Sequence, residues 1–171
     1  MKKLLAALLC LMLLCGATQA EEIAGGRIEM NGVTFVIEDV RLDVDGLVIL
    51  VMQTPDDERT SLLDNQTEYS PDDPDFVRDV DTASQYGERL LGTLCDILAL
   101  TDEKGDSLLN EYAVSTRRIG ASLRDEFRVY LPADNTAREL RVELVFGVND
   151  NLSSRFDAPA SYLLTIPMYA D

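Results

Sequence analysis

Glu139-Leu140-Arg141-Val142-Glu143-Leu144-Val145-Phe146-Gly147-Val148 alternates apolar and polar side chains over most of its length. A β-strand turns successive side chains to opposite faces, so Leu140, Val142, Leu144, Phe146 and Val148 share one face, and Glu139, Arg141 and Glu143 the other. A helix would scatter the same residues around its axis. The stretch reads as a strand with one buried face, and the same period of two recurs through most of the chain.

Working outward, Ser122–Leu131 and Ser161–Tyr169 are further strands, and Leu90–Leu100 and Leu108–Arg118 flank a turn at Thr101–Asp106. Arg27–Met30 leads through Asn31-Gly32 into Val33, a hairpin signal, because Asn-Gly supplies the positive φ angles of a two-residue turn. Val33, Phe35 and Ile37 fall on one parity and Val40, Leu42 and Val44 on the other, so a bulge near Glu38-Asp39 is expected to return all six to the core. Asp43-Val44-Asp45-Gly46 turns the chain into Leu47–Met52, an unbroken apolar run suited to a central strand covered on both faces. Cys95 shares parity with Leu91, Ile97 and Ala99 and is expected buried and inert. Seven to eight strands without a helix of three turns predict an all-β fold, an antiparallel β-sandwich, with a closed barrel as the alternative.

One segment breaks the period. Thr54–Glu88 holds Pro55, Pro71 and Pro74, and between Asp56 and Asp81 ten acids stand against only Arg59 and Arg78. It reads as one long acidic loop, with a short helix expected around Glu58–Leu63 to place Leu62 and Leu63. Loops of this length inside compact domains are functional or disordered. The strands before it are too few to fold alone, so residues 21–171 are read as a single β-sandwich domain.

The N-terminus sets the expected compartment. Lys2 and Lys3 precede the apolar run Leu4–Leu14, and Thr18-Gln19-Ala20 ends in a small residue ahead of Glu21. This is the pattern of a secretory signal peptide over residues 1–20, cleaved after Ala20. The apolar run is about half the length of a membrane span. Cleavage would remove Cys10 and Cys15 and leave Cys95 alone, so no internal disulfide is expected and stability must come from the core. It would also deepen the net charge of the 171-residue chain from −16 to −18. Such acidity repels nucleic acid and anionic lipid, so neither is an expected partner, and no membrane insertion is expected after cleavage.

Composition excludes whole chemistries. With no histidine there is no Ser-His-Asp or Cys-His pair, no imidazole metal ligand and no imidazole switch near neutral pH. Carboxylate acid/base catalysis remains open, which leaves a small secreted hydrolase as an alternative reading. Trp is absent, however, and Phe35, Phe127 and Phe146 fall on core parities, so a sugar-binding platform is missing. Gly25-Gly26 precedes a strand and makes no phosphate cradle. No catalytic or cofactor-binding residue is assigned.

Calcium is the one ligand with candidate positions, since it takes several hard oxygens from carboxylates and tight-turn carbonyls. The candidates are Asp43-Val44-Asp45-Gly46, Asp102–Asp106, and Asp72-Asp73-Pro74-Asp75 with Asp79 and Asp81. None follows a twelve-residue calcium loop, and Asp and Gly also serve simple β-turns. Arginine is unevenly placed too: six lie between Arg117 and Arg141 against Asp125, Glu126, Asp134 and Glu139. Arg124 and Arg128 share a parity. This arginine face is expected to dock the acidic Thr54–Glu88 loop or an acidic partner, or to carry paired surface charges. Asn65-Gln66-Thr67 and Asn151-Leu152-Ser153 match glycosylation sequons, read as chance matches beside a bacterial-looking leader.

Asn31-Gly32-Val33-Thr34-Phe35 leading into Asp45-Gly46-Leu47-Val48-Ile49, then the Thr101–Asp106 turn and the closing Leu163–Tyr169 strand, resembles bacterial secreted immunoglobulin-like domains. The chain departs from antibody-type domains in lacking paired cysteines and a core Trp and in its long acidic insertion. The resemblance implies an immunoglobulin-like sandwich acting as a non-catalytic binding or adhesion module, secreted or in the cell envelope, for a protein or glycan partner. A calcium-stabilised structural envelope module is the remaining alternative.

Overall fold

The computed structural model describes residues 25–63, 85–149 and 159–168. Within them lie β1 (Arg27–Met30), β2 (Val33–Asp43), β3 (Gly46–Pro55), β4 (Thr60–Leu63), β5 (Arg89–Asp102), β6 (Tyr112–Ile119), β7 (Ser122–Tyr130), β8 (Glu139–Asn149) and β9 (Ala160–Pro167). They form a five-stranded sheet in the order β1-β2-β3-β7-β6 and a four-stranded sheet in the order β4-β5-β8-β9. The pairs are antiparallel except β4 with β5, which is parallel.

Both sheets are amphipathic, and their apolar faces meet in one core. Leu140, Val142, Leu144, Phe146 and Val148 of β8 are all buried there, as the alternation requires. Phe35 of β2 meets Phe146 across the sandwich with ring centroids 5.1 Å apart and planes tilted by 54°. Such tilted aromatic pairs add about 0.5–1.5 kcal/mol beyond their burial. The single cysteine in the described residues, Cys95, is buried in the same cluster.

The local sequence explains the turns. Asn31 and Gly32 take φ of 47° and 87°, closing the β1–β2 hairpin in left-handed conformations. Gly46 packs directly against β7: a Cβ there would lie 2.1 Å from the Val129 carbonyl oxygen, and its φ of 146° is one that side chains rarely adopt. Leu47–Val51 of β3 are buried on both faces, as expected of a central strand.

Several expectations need correction. Nine strands are described rather than seven to eight, and the unforeseen one is β4. Thr60–Leu63 is extended, not helical: Thr60 and Leu62 are buried at alternate positions, and the strand pairs with Arg89–Gly92 of β5. The turn before it is held by Asp57, whose side chain accepts the Arg59 N–H at 2.9 Å and whose carbonyl accepts the Thr60 N–H at 3.0 Å. The acidic Thr54–Glu88 segment is therefore not one loop, since Thr54 and Pro55 finish β3 and β4 interrupts it.

The β2 bulge falls between Ile37 and Asp39, where it was expected. It turns Val40 and Leu42 to the core side, yet Val40 is only half-buried and Leu42 is exposed, while Val44 projects wholly into solvent at the hairpin tip. Beyond the last β1 pair, Arg27 with Val36, this part of β2 is at the border of its sheet. A second bulge, between Ile97 and Ala99 of β5, shifts parity so that Leu100 rather than Ala99 enters the core and Leu98 is exposed. The strand expected from Leu108 begins at Tyr112, because residues 103–111 carry the chain from one sheet to the other. The residues 1–20, 64–84 and 150–158, with the leader, the Asp72–Asp81 acids and both sequon asparagines, lie outside the described residues.

Candidate functional site

Two of the three candidate calcium turns are described, and in both the carboxylate is engaged by the backbone. Asp43 Oδ1 accepts the Asp45 N–H at 2.9 Å, and its Oδ2 lies 3.6 Å from Arg128. Asp102 Oδ1 accepts the N–H groups of Lys104 and Asp106, each at 2.8 Å. Partial burial opposes ionisation of Asp102, but those N–H bonds and the Lys104 charge outweigh it and hold the carboxyl below its ordinary value. These are turn-closing aspartates. Among the described residues no group of three or more acidic or cysteine side chains is placed to hold a metal ion. The third candidate, Asp72–Asp75 with Asp79 and Asp81, lies outside the described residues.

The arginine face is real, and its partners are specific. Arg124 and Arg128 project from the outer face of β7. Arg124 Nε lies 2.8 Å from Glu38 Oε2 at the β2 bulge, and Arg128 pairs with Glu126 at 2.6 Å and more loosely with Asp43. Arg41 and Asp39 pair beside them on β2. The described partners of Arg124 and Arg128 are thus acids of their own sheet, not of the Thr54–Glu88 segment. Exposed pairs of this kind contribute about 0–1 kcal/mol each. Beneath the Arg128–Asp43 pair, a cleft lined by Gly46, Val48 and Tyr130 encloses about 40 Å³. That is room for one or two waters.

Asp125 overturns its sequence reading. Counted there among surface charges, it is 1% exposed and lies on the inner face of β7 between Leu123 and Phe127. Gln53 Nε2 of β3 donates to its Oδ2, and Thr116 Oγ1 of β6 donates to its Oδ1 at 2.6 Å. From the opposite sheet the Cys95 thiol hydrogen-bonds the same carboxylate. Burial first, then the charges of Asp125 and Asp96, push that thiol well above its ordinary pKa, so it is a poor nucleophile. Gln53 Oε1 is buried and has no hydrogen-bond partner among the described residues. A second link between the sheets joins the Tyr112 hydroxyl to Asp96 Oδ1 at 2.7 Å; burial and this bond push the phenol up to about 12.

This cluster was visible in the parity of the sequence. Gln53 continues the inward series Leu47, Ile49, Val51, and Asp125 interrupts the series Leu123, Phe127, Val129. A polar residue on an apolar parity is the available signal. The chain matches no protein-family model, no curated protein and no solved structure.

Proposed function

We propose that the chain is a secreted or envelope-associated, non-catalytic binding module of immunoglobulin-like topology, engaging a protein or glycan partner through the charged face of its larger sheet. Strand order supports the fold assignment. Without β1 and β4, the sheets read β2-β3-β7-β6 and β5-β8-β9, which is the ABED and CFG arrangement of constant-type immunoglobulin domains in chain order. In that scheme β1 is an added edge strand and β4 an insertion between B and C.

The observation that carries the reading is the division of ionisable groups. The charged groups on the larger sheet's outer face form half-exposed ion pairs, Arg124–Glu38, Arg128–Glu126 and Arg41–Asp39, spread across β2 and β7. The fully buried carboxylate, Asp125, is tied to Gln53 and Thr116 inside the sandwich. A substrate site needs a concave pocket of about 300 Å³ or more in which such groups converge. A face of half-exposed ion pairs instead suits recognition of another charged surface.

The test is co-sedimentation of the exported protein with washed cell envelopes of its host. Saturable binding that is lost in the Arg124→Glu/Arg128→Glu double variant supports the reading. Absent or unsaturable binding sinks it. N-terminal sequencing of the exported protein, expected to begin at Glu21, tests the leader.

A further inference from the structure

We infer that the free edge of β6 is a strand-addition site for an extended acidic peptide segment; this deepens the binding-module reading by naming the site and the chemistry of its partner. The Tyr130 N–H bonds the Glu111 carbonyl at 3.2 Å, which fixes the phase of the β6–β7 ladder. Ala113, Ser115, Arg117 and Ile119 therefore exchange hydrogen bonds with β7, and the N–H and C=O groups of Tyr112, Val114, Thr116 and Arg118 point away from the sheet. Such a row is a ready template for another strand.

The other described edges are shorter, bulged or, in β9, stopped by a proline at the end. β9 carries Pro167: the Met168 N–H bonds the Arg138 carbonyl, so Pro167, opposite Glu139, points its nitrogen outward and offers no donor there. β1 and β4 have four residues each, and the Leu62 carbonyl of β4 already accepts Arg118 Nη2 at 2.6 Å. β5 beyond β4 is bulged at Ile97–Ala99, and β2 beyond β1 is bulged at Ile37–Asp39. β6 runs for eight residues with neither bulge nor proline.

Charge selects the occupant. Arg117 lies directly opposite Arg124 across the β6–β7 ladder, a like-charge placement that costs stability. Glu38 answers Arg124, but Arg117 has no carboxylate partner among the described residues, in a chain of net charge −16. Arg118 is exposed on the other face of the same edge. An added strand with acids beside Arg117 offsets that repulsion, whereas a cationic strand, or a second β6, deepens it. Half-buried Tyr112 and Val114 on the inner face take apolar side chains at the alternate positions of the added strand.

The probe is a fluorescein-labelled peptide of about ten residues alternating Val and Glu, long enough to cover the edge, with a Val/Lys peptide as control. Anisotropy on the full exported chain at low ionic strength should show saturable binding of the Glu peptide alone, and exchange protection should appear at the amides of Tyr112, Val114, Thr116 and Arg118. Val114→Pro removes an outward donor without touching the β6–β7 ladder and should abolish binding. Arg117→Glu, a surface change that leaves folding intact, should weaken it about tenfold or more. Equal binding of the Lys peptide, protection elsewhere, or an unchanged affinity in Arg117→Glu overturns the proposal, as does a dimer of the wild-type chain that Val114→Pro dissolves. Envelope binding that survives both variants overturns the edge assignment and leaves the binding-module reading standing. Peptide binding without any envelope binding does the reverse.

Discussion

β7 and β8 present inner rows of the same period but different chemistry. The β8 row is apolar from Leu140 to Val148, whereas the β7 row places Asp125 between Leu123 and Phe127. Alternation alone orients both. What differs is how each row fixes its neighbours: apolar burial is non-directional and tolerates repacking, while a buried carboxylate holds Gln53, Thr116 and Cys95 at set positions. The β7 row gives up apolar contact for fixed registration of β3, β7 and β6 and of β5 across the sandwich. Whether that exchange stabilises the fold is measurable, because buried polar groups are costly when unpaired and nearly neutral when removed together.

The largest expected effect is on the apolar row. Phe146→Ala deletes a fully buried ring and its partner contact with Phe35, and should destabilise the protein by about 3–5 kcal/mol in urea unfolding followed by circular dichroism. Asp125→Ala should cost somewhat less, about 2–4 kcal/mol, because it strands the Gln53 amide and leaves the thiol without its acceptor. The decisive comparison is the double variant Asp125→Leu/Gln53→Met. Recovery of more than half the loss shows that the β7 cluster specifies position rather than adding stability; no recovery shows that it stabilises outright.

The smallest effect lies outside both rows, at the turn after β5. Asp102 has its carboxyl pKa lowered in the folded state, so its ionised form contributes stability above the unfolded carboxylate value, and that contribution is lost as pH falls through the lower folded value. Asp102→Ala should therefore lower the urea midpoint at pH 7 by less than either core variant does, chiefly through the two lost turn hydrogen bonds. The difference from wild type should shrink toward pH 2. A gap that stays constant across that range would separate the turn's stability from the charge of Asp102.

Much of the architecture is legible from period two. The β8 row, the Asn31-Gly32 hairpin, the β2 bulge and the apolar run of β3 all stand where alternation and turn chemistry put them. β4 was hidden because its inward residues are only Thr60 and Leu62, and its partner Arg89–Gly92 is remote in sequence. The β5 bulge was hidden for the opposite reason: Ile97, Leu98, Ala99 and Leu100 are all apolar, so a slip in parity leaves no trace. Asp125 was legible by position and was misread through its charge. A carboxylate beside Arg124 looks like a surface partner until parity is weighed above proximity in sequence. The β6 edge depends on which strands lie at the sheet borders, and that is a property of topology rather than of any local run.

The parallel pairing of β4 with β5 bears on the chain between them. A strand followed by an antiparallel neighbour needs only a tight turn, but a parallel neighbour obliges the chain to travel back along the strand before it starts again. For strands as short as Thr60–Leu63 that return is about 10 Å, and about a dozen residues suffice for such a crossover. Residues 64–88 offer about twice that number. Connectivity therefore demands that a bridge exist and sets a minimum for its length, which residues 64–88 exceed.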